Sequence, residues 1–191
     1  MQATQFESKL IYTTKHHRVL SNALIIMLGS CLVALSAQIT IPLQPVPITL
    51  QSFAALLVGM AFGPKMGSKI IFAYLCEGAC GLPVFADFSW GFHVLFGPTG
   101  GYLLGFLPAV VVTGYFLQIG WAKNRITIFL AALLGTITLF IPGYFVLAKF
   151  VGLHNAYLFG VAPFFIVEIC KLAIFTMVTP LFWRQKSPYA A

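Results

Sequence analysis

Lys171 and Glu168 stand three residues apart inside the last apolar run of the chain, which spans residues 161–183. A lysine ten residues into a helix lies ~15 Å along its axis, near the middle of a membrane's hydrocarbon. An ammonium there costs roughly 2.5–3.5 kcal/mol on insertion scales, so it needs a partner or a wet cavity. Glu168 is on a neighbouring face of the same helix. Three readings stay open: an ion pair that only neutralises itself, a lysine that binds an anionic substrate group while Glu168 accepts hydrogen bonds or tunes it, and a proton relay through Glu168. The other acid within an apolar run, Glu77, either faces an outer vestibule or caps neighbouring backbone.

Two further segments combine polar groups with turn residues. Ile41-Pro42-Leu43-Gln44-Pro45-Val46-Pro47 must approach the next run extended, because proline fixes φ and biases its predecessor away from the helix. It delivers Thr49 and Gln51 to the top of an apolar helix, where they could read an amide or ureido group or simply hydrogen-bond between helices. The second segment, residues 81–101, carries Phe85, Asp87, Phe88, Trp90, Phe92 and Phe96, and ends in Gly97-Pro98-Thr99-Gly100-Gly101 before Tyr102. Glycines at a helix start let backbone N–H groups approach a ligand. The segment is expected to cover a binding site, with Phe85, Asp87, Trp90, Gly100 and Tyr102 as candidates; the alternative is an aromatic belt at the membrane interface. His93 and His16-His17 lack the partners a metal site needs. No nucleotide-binding loop or Ser-His-Asp pattern is present.

The elements that must hold these residues are membrane spans. The 191 residues are 60% hydrophobic and 8% charged, against roughly 25% charged in soluble domains. Apolar runs fall at residues 20–39, 48–62, 67–82, 101–120, 127–149 and 161–183, with Gly63-Pro64-Lys65-Met66-Gly67 as a tight turn between the second and third. At roughly 20 residues per span, six spans leave no room for a catalytic or ATP-hydrolysing domain. Residues 1–19 read as a polar cytoplasmic tail or a short helix on the membrane surface, residues 20–183 as one six-helix bundle, and residues 184–191 as a second cytoplasmic tail. Ala34-Leu35-Ser36-Ala37 loosely matches a leader cleavage site, but the preceding run is long for a leader and reads as a retained span.

Charge gives the orientation. With the N-terminus inside, nine of the eleven Lys and Arg (Lys9, Lys15, Arg18, Lys65, Lys69, Lys123, Arg125, Arg184, Lys186) fall on inner segments. This predicts an even number of spans and both termini cytoplasmic. It also explains the net charge of +7 by topology, so no nucleic-acid partner is expected. Cys31, Cys76, Cys80 and Cys170 have no metal-binding spacing and read as buried apolar residues.

Pro45-Val46-Pro47-Ile48-Thr49-Leu50-Gln51, Gly81-Leu82-Pro83-Val84-Phe85 and Gly97-Pro98-Thr99-Gly100-Gly101-Tyr102-Leu103-Leu104-Gly105-Phe106, in this order and spacing, resemble the BioY family. These are biotin transporters, the substrate-binding components of energy-coupling-factor vitamin transporters. The resemblance covers residues 20–183. It implies an all-α integral membrane protein of the cytoplasmic membrane, a six-helix bundle binding biotin near its outer side. Lys171 and Glu168 would meet the ligand, Thr49 and Gln51 would add hydrogen bonds, and Phe85, Asp87, Trp90, Gly100 and Tyr102 would cover it. The family pattern has Pro-Gly-Asp followed three residues after the acid by Lys; here the lysine is kept, Glu168 is one methylene longer, and the Pro-Gly pair is absent. The resemblance further implies docking on a membrane scaffold through small residues of the first span, for which Gly29, Ser30, Ala34 and Ala37 form the nearest stripe. ATP would be used by a partner ATPase alone, with no cofactor on this chain. Membrane lipid is the remaining expected partner. Rival readings are a stand-alone or proton-coupled biotin carrier and an intramembrane lipid-modifying enzyme.

Overall fold

The computed structural model describes the backbone of residues 2–183 and the side chains of residues 19–181. The charges expected at Lys9, Lys15, Arg18, Arg184 and Lys186, and the tail 184–191, lie outside the described side chains. Helix α1 runs unbroken over Gln2–Ala37, back through the polar start, and its membrane-length apolar part is Val19–Ala37. Two short strands follow, β1 (Thr40–Ile41) and β2 (Ile48–Thr49), paired antiparallel with Thr40 opposite Thr49. The fold is therefore mostly helical rather than all-helical. Pro42, Pro45 and Pro47 forbid a helix here, and the extended chain they leave pairs with itself.

Helix α2 (Gln51–Ala79) is two arms meeting at Gly63, whose φ of 70° and ψ of −180° break the helix. A Cβ on Gly67 would lie 3.4 Å from the Val58 carbonyl oxygen. Along a continuous helix these residues would stand ~13 Å apart, so the second arm folds back on the first. Only glycine takes that φ without strain, and Pro64 starts the new arm where a helix tolerates it.

The chain continues through a single 3-10 turn at Ala86–Phe88 to α3 (Phe92–Leu95), then α4 (Gly100–Gln118), α5 (Arg125–Val151), α6 (Leu153–Gly160) and α7 (Phe164–Trp183). Among the described residues, five helices are long and apolar enough to cross a membrane, the two-armed α2 counting as one. Helix α4 is central, packed between α2 and α5, with α1 outside α2 and α7 against α5 and α2. The α2–α4 approach is close because a Cβ on Gly114 would sit 2.8 Å from the Gly59 carbonyl oxygen.

Lipid acts on which side chains face out. Large apolar residues such as Leu28, Phe72, Ile141 and Met177 are more than half exposed around the perimeter. The four cysteines are exposed as well, not buried as their sequence context suggests. The small-residue stripe of α1 is likewise turned round: Gly29 meets Ile70, Ser30 is 1% exposed and donates to Glu77 Oε1 (2.8 Å), and Ala37 is fully buried. That stripe faces α2, so the outward face of α1 is Leu20, Leu24, Met27, Leu28, Leu32 and Leu35. Glu77 is spent on Ser30 and belongs to this helix contact.

Candidate functional site

Helix α7 begins at Phe164, just after Pro163, and not at Val161. Lys171 is thus seven residues in, ~10 Å along the axis, near the middle of the apolar span Phe164–Leu181. Its ammonium donates to Glu168 Oε1 (2.6 Å), the Thr49 carbonyl oxygen (2.7 Å) and Ser52 Oγ (2.9 Å). An ammonium has three N–H bonds, so all are used within the protein. Lys171 and Glu168 are 7% and 6% exposed. Glu168 Oε1 accepts a second bond from the Ser52 hydroxyl (2.9 Å), while Oε2 is buried with no protein partner.

Glu168 forms part of the wall of a cavity of about 380 Å³; Lys171 does not. The lysine holds the carboxylate through Oε1, and Glu168 is the member of the pair that lines the cavity. A buried acceptor left without a donor costs about 1–3 kcal/mol, more when charged, which makes Oε2 the most demanding polar atom of the site.

The other walls come from every segment the sequence singled out. The hairpin and the start of α2 supply Pro45, Val46, Pro47, Thr49, Gln51 and Ser52. The Gln51 side-chain amide donates to the Tyr74 hydroxyl, which donates to the Val84 carbonyl oxygen (3.2 Å). This fixes Gln51 from behind. Helices α4, α5 and α7 contribute Tyr102, Phe106, Leu139, Phe140 and Phe164. Tyr102 stacks on Phe164 (centroids 6.2 Å, 13°) and meets Phe140 edge-on (5.7 Å, 88°). Its hydroxyl donates to the Gly160 carbonyl oxygen (2.8 Å), so Tyr102 offers the cavity a ring rather than a polar group.

The loop over the cavity is tied to the end of α1. Gln38 Nε2 donates to the Phe85 carbonyl oxygen (3.0 Å), and Gln38 Oε1 accepts from the Phe88 N–H (3.0 Å). The Thr40 hydroxyl donates to Asp87 Oδ1 (3.0 Å). Asp87 and Phe88 both sit at φ 55°, a region that costs a non-glycine residue on the order of 1 kcal/mol or more. These three bonds hold them there. Phe85 is fully buried against Tyr74 (5.5 Å, edge-on).

Of the nine candidates, Thr49, Gln51, Phe85, Asp87, Tyr102 and Glu168 line the cavity, and Lys171 braces it from behind. Trp90 and Gly100 do not line it. Trp90 is half exposed beside His93, and Gly100 is buried under the Leu95 carbonyl. Sequence reasoning missed Ser52, His93, Thr99, Phe140 and Phe164 as lining residues. Ser52 had a readable signal, since it lies one residue past Gln51 on the helix that receives Lys171. His93 carried none once a metal was set aside.

The sequence matches the BioY family over residues 7–187. It is 40% identical over 149 residues to the probable biotin transporter BioY of Pyrococcus horikoshii, covering 78% of this chain and 88% of that one. It is 37% identical over 151 residues to the biotin transporter BioY of Thermotoga maritima, covering 78% and 88%. The fold superposes on the crystal structure of the S-component for biotin from an ECF-type ABC transporter, with a TM-score of 0.74 at 23% identity, covering 90% of this chain and 94% of that one.

Proposed function

The chain belongs to the BioY family, and we propose on that footing that it is the biotin-binding membrane component of an energy-coupling-factor type transporter. The observation that carries the reading is a buried carboxylate, Glu168, in the wall of a largely apolar cavity, with its Oε2 lacking a protein partner. Biotin's N–H donors are those of its ureido group, and its carboxylate would be repelled by Glu168. The ureido end therefore enters first and donates to Oε2. The aromatic wall of Tyr102, Phe140 and Phe164 takes the ring and chain, consistent with pockets that are mostly apolar with few placed polar groups. The cavity volume of about 380 Å³ lies within the roughly 300–1,000 Å³ usual for small ligands.

The two arms of α2 count as separate crossings in this reading, giving six spans of the cytoplasmic membrane. Both termini lie inside, because Lys65, Lys69, Lys123 and Arg125 then share the cytoplasmic side. The cavity opens outward, and energy comes from scaffold and ATPase subunits, a reading supported by the likeness to the S-component of an ECF-type ABC transporter. The test is binding of radiolabelled biotin to the purified chain, displaced by excess unlabelled biotin. Uptake should then depend on co-expressed scaffold and ATPase subunits. Absence of displaceable binding would overturn the substrate; uptake by this chain alone that an uncoupler abolishes would overturn the energising partner.

His93 and Thr99 line the cavity and can donate to biotin's carboxylate. A hydrogen bond to a charged group contributes roughly 1.5–3 kcal/mol. His93→Ala is expected to weaken biotin by about tenfold or more and to leave biotin methyl ester nearly unaffected, as read by competition binding. Equal loss for acid and ester would refute that orientation.

A further inference from the structure

A second concavity shares no residue with the loop-covered cavity. It is a shallow groove of about 500 Å³ formed by Ile26 of α1, Ser68, Lys69, Phe72 and Ala73 of the second arm of α2, and Leu107 of α4. Its chemistry is graded along one direction. Residues three and four apart share a helix face, so Ser68 and Lys69 stand one turn before Phe72 and Ala73, toward the Gly63 bend. Lys65 precedes Lys69 by one more turn on that face. Both lysines are exposed. Lys69 is five residues along its arm, ~7.5 Å from the bend, within the reach of a side chain that snorkels to the polar boundary.

Among the described residues these two cations have no salt-bridge partner. The ion pair among the described residues is Lys171–Glu168. The remaining described acids are engaged elsewhere, Glu77 by Ser30 and Asp87 by Thr40. The Ser68 hydroxyl donates to the Pro64 carbonyl oxygen (2.5 Å), which leaves Lys69 as the donor at the groove's end. An apolar trough within membrane-length helices, with the exposed Lys69 on its rim and the exposed Lys65 one turn beyond, has the charge distribution complementary to an anionic lipid.

We propose that this groove binds one anionic phospholipid, its phosphate on Lys69 and Lys65 and one acyl chain along Ile26, Phe72, Ala73 and Leu107. A zwitterionic lipid carries its own cation against the lysines and fits less well. A helix from another protein or a second copy would fill the trough without neutralising the lysines.

Native mass spectrometry decides it. The full chain is stripped in non-ionic detergent, then offered equal phosphatidylglycerol and phosphatidylcholine. One phosphatidylglycerol per chain is expected, with at least a tenfold preference. Lys65→Gln with Lys69→Gln should abolish the preference, and Ala73→Leu should expel both lipids. Equal retention of the two lipids, retention of neither, a preference that survives the lysine exchange, or a second chain in place of lipid would each overturn the proposal. Both lysines are exposed, so the lysine variant is expected to fold. It decides alone if Ala73→Leu does not fold.

Discussion

Exchanging Glu168 for glutamine is expected to weaken biotin binding by about a hundredfold and to lower stability as well, because the Lys171 ammonium stays buried beside a neutral partner. Glutamine keeps one carbonyl oxygen, which Lys171 and Ser52 will hold because they bond Oε1 in the native site. The second position, the oxygen without a protein partner, then becomes an NH₂ group. An acceptor has been replaced by a donor, facing the ureido N–H donors of the ligand. Loss of a bond to a charged group is worth roughly 1.5–3 kcal/mol, and the donor–donor opposition adds to it; 2.7 kcal/mol is about a hundredfold. Glu168→Asp separates reach from chemistry, since it keeps the carboxylate but withdraws it by one methylene. It should fall between the native protein and Glu168→Gln. Equilibrium binding of radiolabelled biotin measures all three, and an unchanged affinity in Glu168→Gln would remove the carboxylate from the ligand contact.

The elements that hold this site were readable where composition and periodicity speak alone. The apolar runs at 101–120 and 127–149 anticipate α4 and α5 to within two residues, and the Gly63-Pro64 turn marks where α2 reverses. The directions in which side chains point were far less readable. In water an apolar stripe marks the inner face of a helix, but lipid is as apolar as a core, so neither burial nor exposure leaves a periodic trace. That is why the cysteines, read as buried, are exposed, and why Gly29 and Ser30, read as a docking face, pack on α2. Small residues mark a close helix approach without saying to which partner. The segment 150–160, which falls between two of the apolar runs, holds α6, whose eight residues are too short for a clear period. The charged pair shows the same limit. Its spacing revealed that Lys171 and Glu168 act together, but which one turns to the cavity depends on Thr49 and Ser52, which lie on other elements.

Lys171→Met and the double exchange Lys171→Met with Glu168→Gln should separate stability from recognition. In the native chain one ammonium joins three elements, through Thr49 of β2, Ser52 of α2 and Glu168 of its own helix. Methionine fills similar volume but leaves the carboxylate with only the Ser52 hydroxyl. Removing one member of a buried pair costs about 3–5 kcal/mol, because the other charge stays buried and uncompensated. At roughly 2–4 °C per kcal/mol for a chain of this size, the melting temperature in detergent should fall by about 10 °C. The double exchange removes the stranded charge as well, and replacing a whole buried pair by neutral groups is often nearly neutral. It should recover more than half of the lost stability and still fail to bind biotin. The single variant should bind weakly, because a carboxylate no longer held by Lys171 either takes up a proton or turns away from the ligand. The cycle tells a positioning lysine from one that touches the ligand. A lysine in direct contact would, on removal, cost affinity with little loss of stability, and the double exchange would then restore nothing. If the lysine positions the acid, stability and affinity fall together in the single variant and part company in the double.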